Sequence, residues 1–192
     1  MSAGLTFVAV AGRIRSFVAL ELPAGHRQAL AAHLDECARR APGFRWAEPD
    51  ELHLTLRFLG HVEPDVLARI DAVVAGIRCP AFTLAGGQTG TFGSRSAPRV
   101  VWLGVGGHGL PACRALAAEV EAACRSAGLE AEERGFRPHV TLARARAGGE
   151  RLPALPEPPR LEPWLVDEVV LFESRLQARP RYVALGRHPL RP

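Results

Sequence analysis

The sequence predicts an α+β (α/β) body in which two sheets flank a groove, and three observations carry that expectation. Short β-patterned runs alternate with amphipathic helical stretches from Arg15 almost to the C-terminus. A strand, a helix and a second strand recur in the same order in both halves, with His53 following Ala19 at nearly the interval by which His139 follows Trp102. Each second strand carries the pattern His-x-Thr, at His53-Leu54-Thr55 and His139-Val140-Thr141.

The first clear pattern begins at Arg15, so residues 1–14 are expected to form a flexible leader. Ser16 to Leu22 reads as a strand closed by Pro23-Ala24-Gly25. Leu30, His33, Leu34 and Cys37 then recur at helical spacing through Arg40, where Ala41-Pro42-Gly43 breaks the helix. The first motif strand runs from Leu52 to Leu59 and ends at Gly60. Pro64 opens a second helix, with Glu63 and Asp65 at the positive end of its dipole and Val66, Leu67, Ile70, Val73, Val74 and Ile77 as its buried stripe. Phe82 to Leu84 predicts a short strand before a glycine-rich loop over Gly86 to Gly93.

The order then repeats. Arg99 to Val105 is a strand, Pro111 to Ser126 a helix burying Leu116, Val120 and Cys124, and Arg137 to Ala145 the second motif strand. Proline-rich 148–163 reads as an irregular surface connection. Two strands, Leu165 to Phe172 and Arg181 to Leu185, close the chain around a turn near Gln177 to Pro180. Residues 1–192 are expected to form one domain, with interleaved lobes and motif units at about 15–60 and 99–145.

Composition narrows the function. A chain of 192 residues, 47% hydrophobic and 23% charged, can bury one core. No run reaches the roughly eighteen apolar residues of a membrane span, and Leu5 to Ala11 is short for a signal peptide, so a cytoplasmic protein without membrane association is expected. All 24 basic residues are arginine, which excludes Schiff-base lysines, lysyl-adenylate ligases and a standard P-loop. Arginine suits phosphate, because its planar fork donates two hydrogen bonds at once. Cys37, Cys79, Cys113 and Cys124 lack CxxC or zinc spacing and read as small buried hydrophobes in a reducing compartment. With no HxH or HxxxH either, neither a metal nor another cofactor is expected.

Strand side chains alternate, so His and Thr of each motif share one face while Leu54, Leu56 and Phe58, or Val140 and Leu142, take the other. A groove holding two imidazoles can take a proton on one side of a reacting group and deliver one on the other near neutral pH. In-line displacement at phosphorus needs that placement, and Thr55 and Thr141 can donate to the non-bridging oxygens as charge builds there.

The segments Arg15 to Leu20, Leu52 to Gly60, Arg99 to Gly104 and Phe136 to Arg144, with Tyr182 near the end, together resemble the RNA 2′,3′-cyclic phosphodiesterase (2′-5′ RNA ligase-like) branch of the two-histidine (2H) phosphoesterase superfamily. The resemblance implies a bilobal, pseudo-two-fold fold of antiparallel-rich sheets with helices outside, and metal-independent opening of a terminal 2′,3′-cyclic phosphate to a 2′-phosphomonoester. It implies His139 as the base that activates water, His53 as the acid for the leaving 3′ oxygen, and Thr55 and Thr141 as phosphate clamps. Phe17 is a candidate stacking platform. Arg57, which shares strand parity with His53, and Arg137, which shares it with His139, are candidate substrate contacts; Arg144 lies an odd number of positions from His139 and reaches the groove only across a β-bulge. Trp46 and Trp102 are expected to be hydrophobic anchors. The implied partners are RNA ends bearing a 2′,3′-cyclic phosphate, or small cyclic nucleotides such as ADP-ribose 1″,2″-cyclic phosphate, met by a monomer. Reverse 2′-5′ ligation without ATP and a non-catalytic RNA-end-binding role are the further possibilities it opens.

Overall fold

The computed structural model describes residues 12–94, 96–146 and 151–192. In chain order the elements are β1 (Ile14–Glu21), α1 (Ala24–Arg40), β2 (Phe44–Trp46), β3 (His53–Val62), α2 (Pro64–Ala75), β4 (Phe82–Gly93), β5 (Pro98–Gly106), α3 (Leu110–Ser126), β6 (His139–Ala145), β7 (Trp164–Val166), β8 (Glu168–Ser174) and β9 (Tyr182–Pro189), with a 3₁₀ turn at Pro49–Glu51. Pro64 and Pro111 stand in the first turns of α2 and α3, where a missing N–H costs no helical hydrogen bond. Each helix turns one stripe inward: Leu30, His33, Leu34 and Cys37 on α1, Leu67, Ile70 and Val74 on α2, and Cys113, Leu116, Ala117, Val120 and Cys124 on α3. These stripes meet Val18, Leu20, Leu54, Leu56, Leu103, Val140 and Leu142 in the main core, on the sheet face away from the groove.

The strands follow the order β7-β4-β5-β6-β3-β1-β8-β9, with β2 added on β6. Every pairing is antiparallel. The two expected sheets are two wings of this path, joined at the motif strands by the single register pair Leu54↔Val140. That seam sets the two His-x-Thr segments side by side. The wings exchange strands, because β4 follows α2 yet pairs with β5, while β8 follows β7 and returns to pair with β1. This exchange interleaves the two repeats.

Two expectations change. Gly86 to Gly93 is no loop: it lies inside β4 and pairs with β5. Gly90 sits opposite Trp102, whose indole lies so close that a Cβ there would come within 2.3 Å of it, so the glycine is what lets the ring cover the strand. Leu165 to Phe172 is not one strand but two, parted at Asp167, with β7 on β4 in one wing and β8 on β1 in the other. The charged pair Asp167-Glu168 stands where the chain crosses from one wing to the other. Phe44 to Trp46 forms the short strand β2 beside Ala143 to Ala145.

Most of the expected leader, residues 1–11, lies outside the described residues, and β1 starts at Ile14. Of the proline-rich connection, 148–150 lie outside them as well, while 151–163 hold no regular element. The four cysteines are buried free thiols. Among the described residues no helix is long and apolar enough to cross a membrane.

Candidate active site

Both motif histidines are fixed by the same local device. The Nδ1 of His53 lies 2.7 Å from the carbonyl of Glu51, and that of His139 lies 2.5 Å from the carbonyl of Arg137, each two residues upstream. A carbonyl can only accept, so Nδ1 carries the hydrogen in both rings and Nε2 is left for the groove. The turn at Pro49–Glu51 presents one carbonyl and the extended Phe136-Arg137-Pro138 approach the other.

Aromatic rings then pack against each half-buried imidazole. His53 stacks on Phe17 at 4.6 Å between centroids and meets the edge of Tyr182 at 5.1 Å. Phe17 also stacks on Phe172 and, with Ala19 and Val170, forms a second small core beneath the groove, flanked by Tyr182. His139 meets Phe92 edge-on at 4.9 Å, with Trp102 behind it at 6.4 Å. Burial pushes the His53 imidazolium down to about 4, against the opposing pull of the Glu51 carbonyl, and Arg144 and His139 push the same way. His139 is lowered too, first by burial and then by Arg144, with the Arg137 carbonyl opposing. Both shifts favour the neutral imidazole, with the hydrogen on Nδ1 and Nε2 unprotonated.

A β-bulge just after the threonine of each motif strand reassigns the next residues, and β3 carries a second register shift at Leu59. Against β1, Ala19 pairs with Thr55 and Val18 with Arg57, so Leu56 is the extra residue. Against β5, Trp102 pairs with Thr141 and Val101 with Ala143, so Leu142 is extra in the same place. The face changes at each bulge. Phe58 therefore joins the groove, opposite Phe17, instead of pointing away with Leu54. Arg144 reaches the groove by the equivalent step and lines a cavity with Phe17, His53, Thr141 and Tyr182.

Arg57 leaves the groove face for the same reason. Its guanidinium is 9% exposed and meets Glu121 of α3 at 2.6 Å, Glu132 at 3.0 Å and the Glu130 carbonyl at 2.5 Å. Glu121 in turn accepts from the Glu132 N–H, and Glu132 from the Arg134 N–H. Arg57 thus clasps the segment that leads to His139, and it also lines the cavity of about 390 Å³ shared by Thr55 and His139. Arg57→Met leaves two carboxylates without their cation and should cost about 1–3 kcal/mol in urea unfolding, with Arg57→Lys failing to restore it because one ammonium cannot replace the fork. An unchanged unfolding midpoint for Arg57→Met would discard the clasp.

Phe17 is 1% exposed and lies under His53, so no base can stack on it. The exposed aromatic ring is Phe58, at 41%. Arg137 is exposed, places its guanidinium 5.9 Å from the Phe92 centroid and lines cavities with His139. Phe58, Phe92, Arg99 and Arg134 were not among the residues expected from sequence. Aligning the two motifs as His-x-Thr-Leu-x-Phe and His-x-Thr-Leu-x-Arg is the signal that finds Phe58, because one bulge serves both copies.

The space around the rings is unequal. Beside His53, with Thr141 and Arg144, is a pocket of about 40 Å³, enough for a few waters. On the His139 side are two larger cavities: one of about 390 Å³ that also touches Thr55, and one of about 620 Å³ between Phe58, Phe92 and Arg99. Those two are of ligand size. Among the described residues no three His, Cys, Asp or Glu side chains gather as a metal site.

A family model for the 2′-5′ RNA ligase superfamily matches residues 25–177, from α1 to beyond β8 and including both motifs. The chain belongs to the 2′-5′ RNA ligase superfamily. Within that superfamily it is 32% identical over 185 residues to the RNA 2′,3′-cyclic phosphodiesterase of Geobacillus stearothermophilus, covering 93% of this chain and 58% of that protein's length. It is 40% identical over 126 residues to the RNA 2′,3′-cyclic phosphodiesterase of Aeropyrum pernix, covering 66% of this chain and 70% of the relative. The superfamily fold is shared with Escherichia coli LigT crystallised with 3′-AMP, at a TM-score of 0.78 and 30% identity over 93% of this chain and 98% of that one.

Proposed function

We propose that this protein hydrolyses 2′,3′-cyclic phosphates at RNA ends to 2′-phosphomonoesters, with His53 and His139 as the acid–base pair. The observation that carries the reading is the pair of Nδ1-anchored imidazoles on adjoining strands, both offering Nε2 to one groove. Water attacks phosphorus opposite the 3′ oxygen, the P–O3′ bond breaks, and O3′ leaves with a proton while the phosphate stays on O2′. Thr55 and Thr141 donate to the non-bridging oxygens, and Arg144, facing both rings, offsets their charge. A 5′-hydroxyl in place of water makes a 2′-5′ linkage by the same displacement, without ATP.

The resemblance assigns His139 as base and His53 as acid, and two observations favour the opposite polarity. The leaving oxygen belongs to the nucleoside, which fits the ligand-sized cavities at His139 but not the 40 Å³ pocket at His53. That pocket suits the attacking water. His53, held down to about 4, is also the ring that most readily stays a free base. An anionic phosphodiester bound between the rings raises both, and His139 is the one placed to carry the proton to O3′.

Mass analysis of a cyclic-ended oligonucleotide tests the reading. The expected product has gained one water, co-elutes with an authentic 2′-phosphate rather than its 3′ isomer on chromatography, and forms equally well with EDTA present. Turnover of ADP-ribose 1″,2″-cyclic phosphate with no turnover of the RNA would move the activity to a small nucleotide, and stoichiometric RNA binding with no product would make the protein a binding module. A reducing, cytoplasmic setting belongs to the same proposal, supported by four buried free thiols; a monomer is proposed with it.

A further inference from the structure

We infer that the RNA chain upstream of the cyclic end runs along the cavity on the His139 side, its internucleotide phosphates held by Arg99, Arg134 and Arg137 and its bases lying against Phe58 and Phe92. The inference rests on the cyclic phosphodiesterase reading and adds to it the path of the chain upstream of the reacting end and the residues that hold it. The cavity, about 620 Å³, is lined by these residues with His139 and Arg144, and among the described residues no carboxylate lines it. Arg99, Arg134 and Arg137 form no ion pair among the described residues. Arg99 comes from β5, whereas Arg134 and Arg137 come from the segment that Arg57 clasps, so the guanidiniums reach the cavity from separate elements.

Counting anions against cations separates a polymer from a mononucleotide. A cyclic mononucleotide brings one phosphate, and Thr55, Thr141 and Arg144 already face it. Three further unpaired guanidiniums then have no anion to meet. Internucleotide phosphates supply them, and exposed aromatic rings beside a cationic track are the usual means of holding unpaired bases. Phe58, at 41% exposure, loses water-facing apolar surface when a base covers it.

The cavity on the opposite flank lacks this character. It is comparable in size, about 650 Å³, but Asp35, Glu48 and Glu51 line it. Its Arg45 and Arg181 are paired with Glu51, and its Arg179 with Glu48. Neither motif histidine lines it.

The test measures kcat/KM for a 2′,3′-cyclic mononucleotide and for cyclic-ended dimer, tetramer and hexamer, between about 50 and 200 mM salt, in wild type, Arg99→Ala/Arg134→Ala and Arg179→Ala. The tetramer should exceed the mononucleotide by about tenfold or more at low salt, and the double variant should bring that ratio to within about twofold. Fluorescence anisotropy with a labelled single-stranded RNA tetramer should show the salt slope falling by about 1.4 in the double variant, near 0.7 for each lost phosphate contact. Arg179→Ala should keep the full length advantage. A flat length dependence, a length advantage that survives in the double variant or vanishes in Arg179→Ala, or preference for ADP-ribose 1″,2″-cyclic phosphate would overturn the tract. Failure to hydrolyse any of these compounds would instead remove the proposed activity, and the anisotropy would still decide the tract: salt-dependent binding weakened in the double variant upholds it, equal binding in both proteins ends it.

Discussion

Replacing either motif histidine with alanine should lower turnover of a cyclic-ended RNA by about 10²–10⁴-fold. Sulfur in place of the leaving 3′ oxygen should then restore most of the loss in His139→Ala and little of it in His53→Ala. The asymmetry follows from leaving-group chemistry. A thiol near pKa about 8.5 departs as thiolate without a proton, so the variant lacking the acid no longer misses it, whereas the variant lacking the base still has nothing to activate water. The assignment comes from the unequal space at the two rings, a few waters' worth beside His53 and nucleoside-sized cavities beside His139. Rescue of His53→Ala in place of His139→Ala would restore the polarity that the resemblance implies. Full activity of either variant toward the oxygen substrate would sink the acid–base pair itself.

Phe17→Ala should destabilise the protein by about 3–5 kcal/mol in urea unfolding, as large-to-small changes at buried aromatic sites do. The ring touches His53, Phe58, Phe172 and Tyr182, so its loss opens a cavity directly under the catalytic face. Water entering there should raise His53 from about 4 toward its ordinary value, which NMR titration of the ring reads. The sign of the linked pH effect is definite. His53 is lowered by folding, so the unfolded chain takes up a proton that the native protein refuses, and stability falls as pH drops from about 6.5 to about 4. Phe17→Leu, which keeps most of the packing, should narrow that window while remaining folded. A His53 midpoint that does not move in Phe17→Leu would show that Phe17 is not what keeps water from the ring.

Much of the architecture was legible because it rests on short-range pattern. The helical stripes are spaced by the α-helix's own period, and all three helices form over those stripes, although α2 ends at Ala75, short of the expected Ile77. Elements whose identity depends on a distant partner were not legible. Gly86 to Gly93 is a strand because Trp102 covers Gly90, and Asp167 separates two strands because their partners lie in opposite wings. Nothing in the local composition of either segment says so.

The site divides along the same line. By itself the sequence determined that two imidazoles and two hydroxyls share a face, that the unit carrying them is used twice, and that lysine chemistry is excluded. Only the tertiary structure decided what stands around them: Phe58 and Arg144 in the groove, Arg57 clasping the approach to His139, and Phe17 beneath a histidine instead of beneath a base. Alternation along a strand is a local property, good for the two residues from His to Thr. A bulge belongs to a pair of strands, and the registers of β3 with β1 and of β6 with β5 place one immediately after each threonine, which turns Arg57 and Phe58 in β3, and Ala143 and Arg144 in β6, to the face opposite the one alternation predicts.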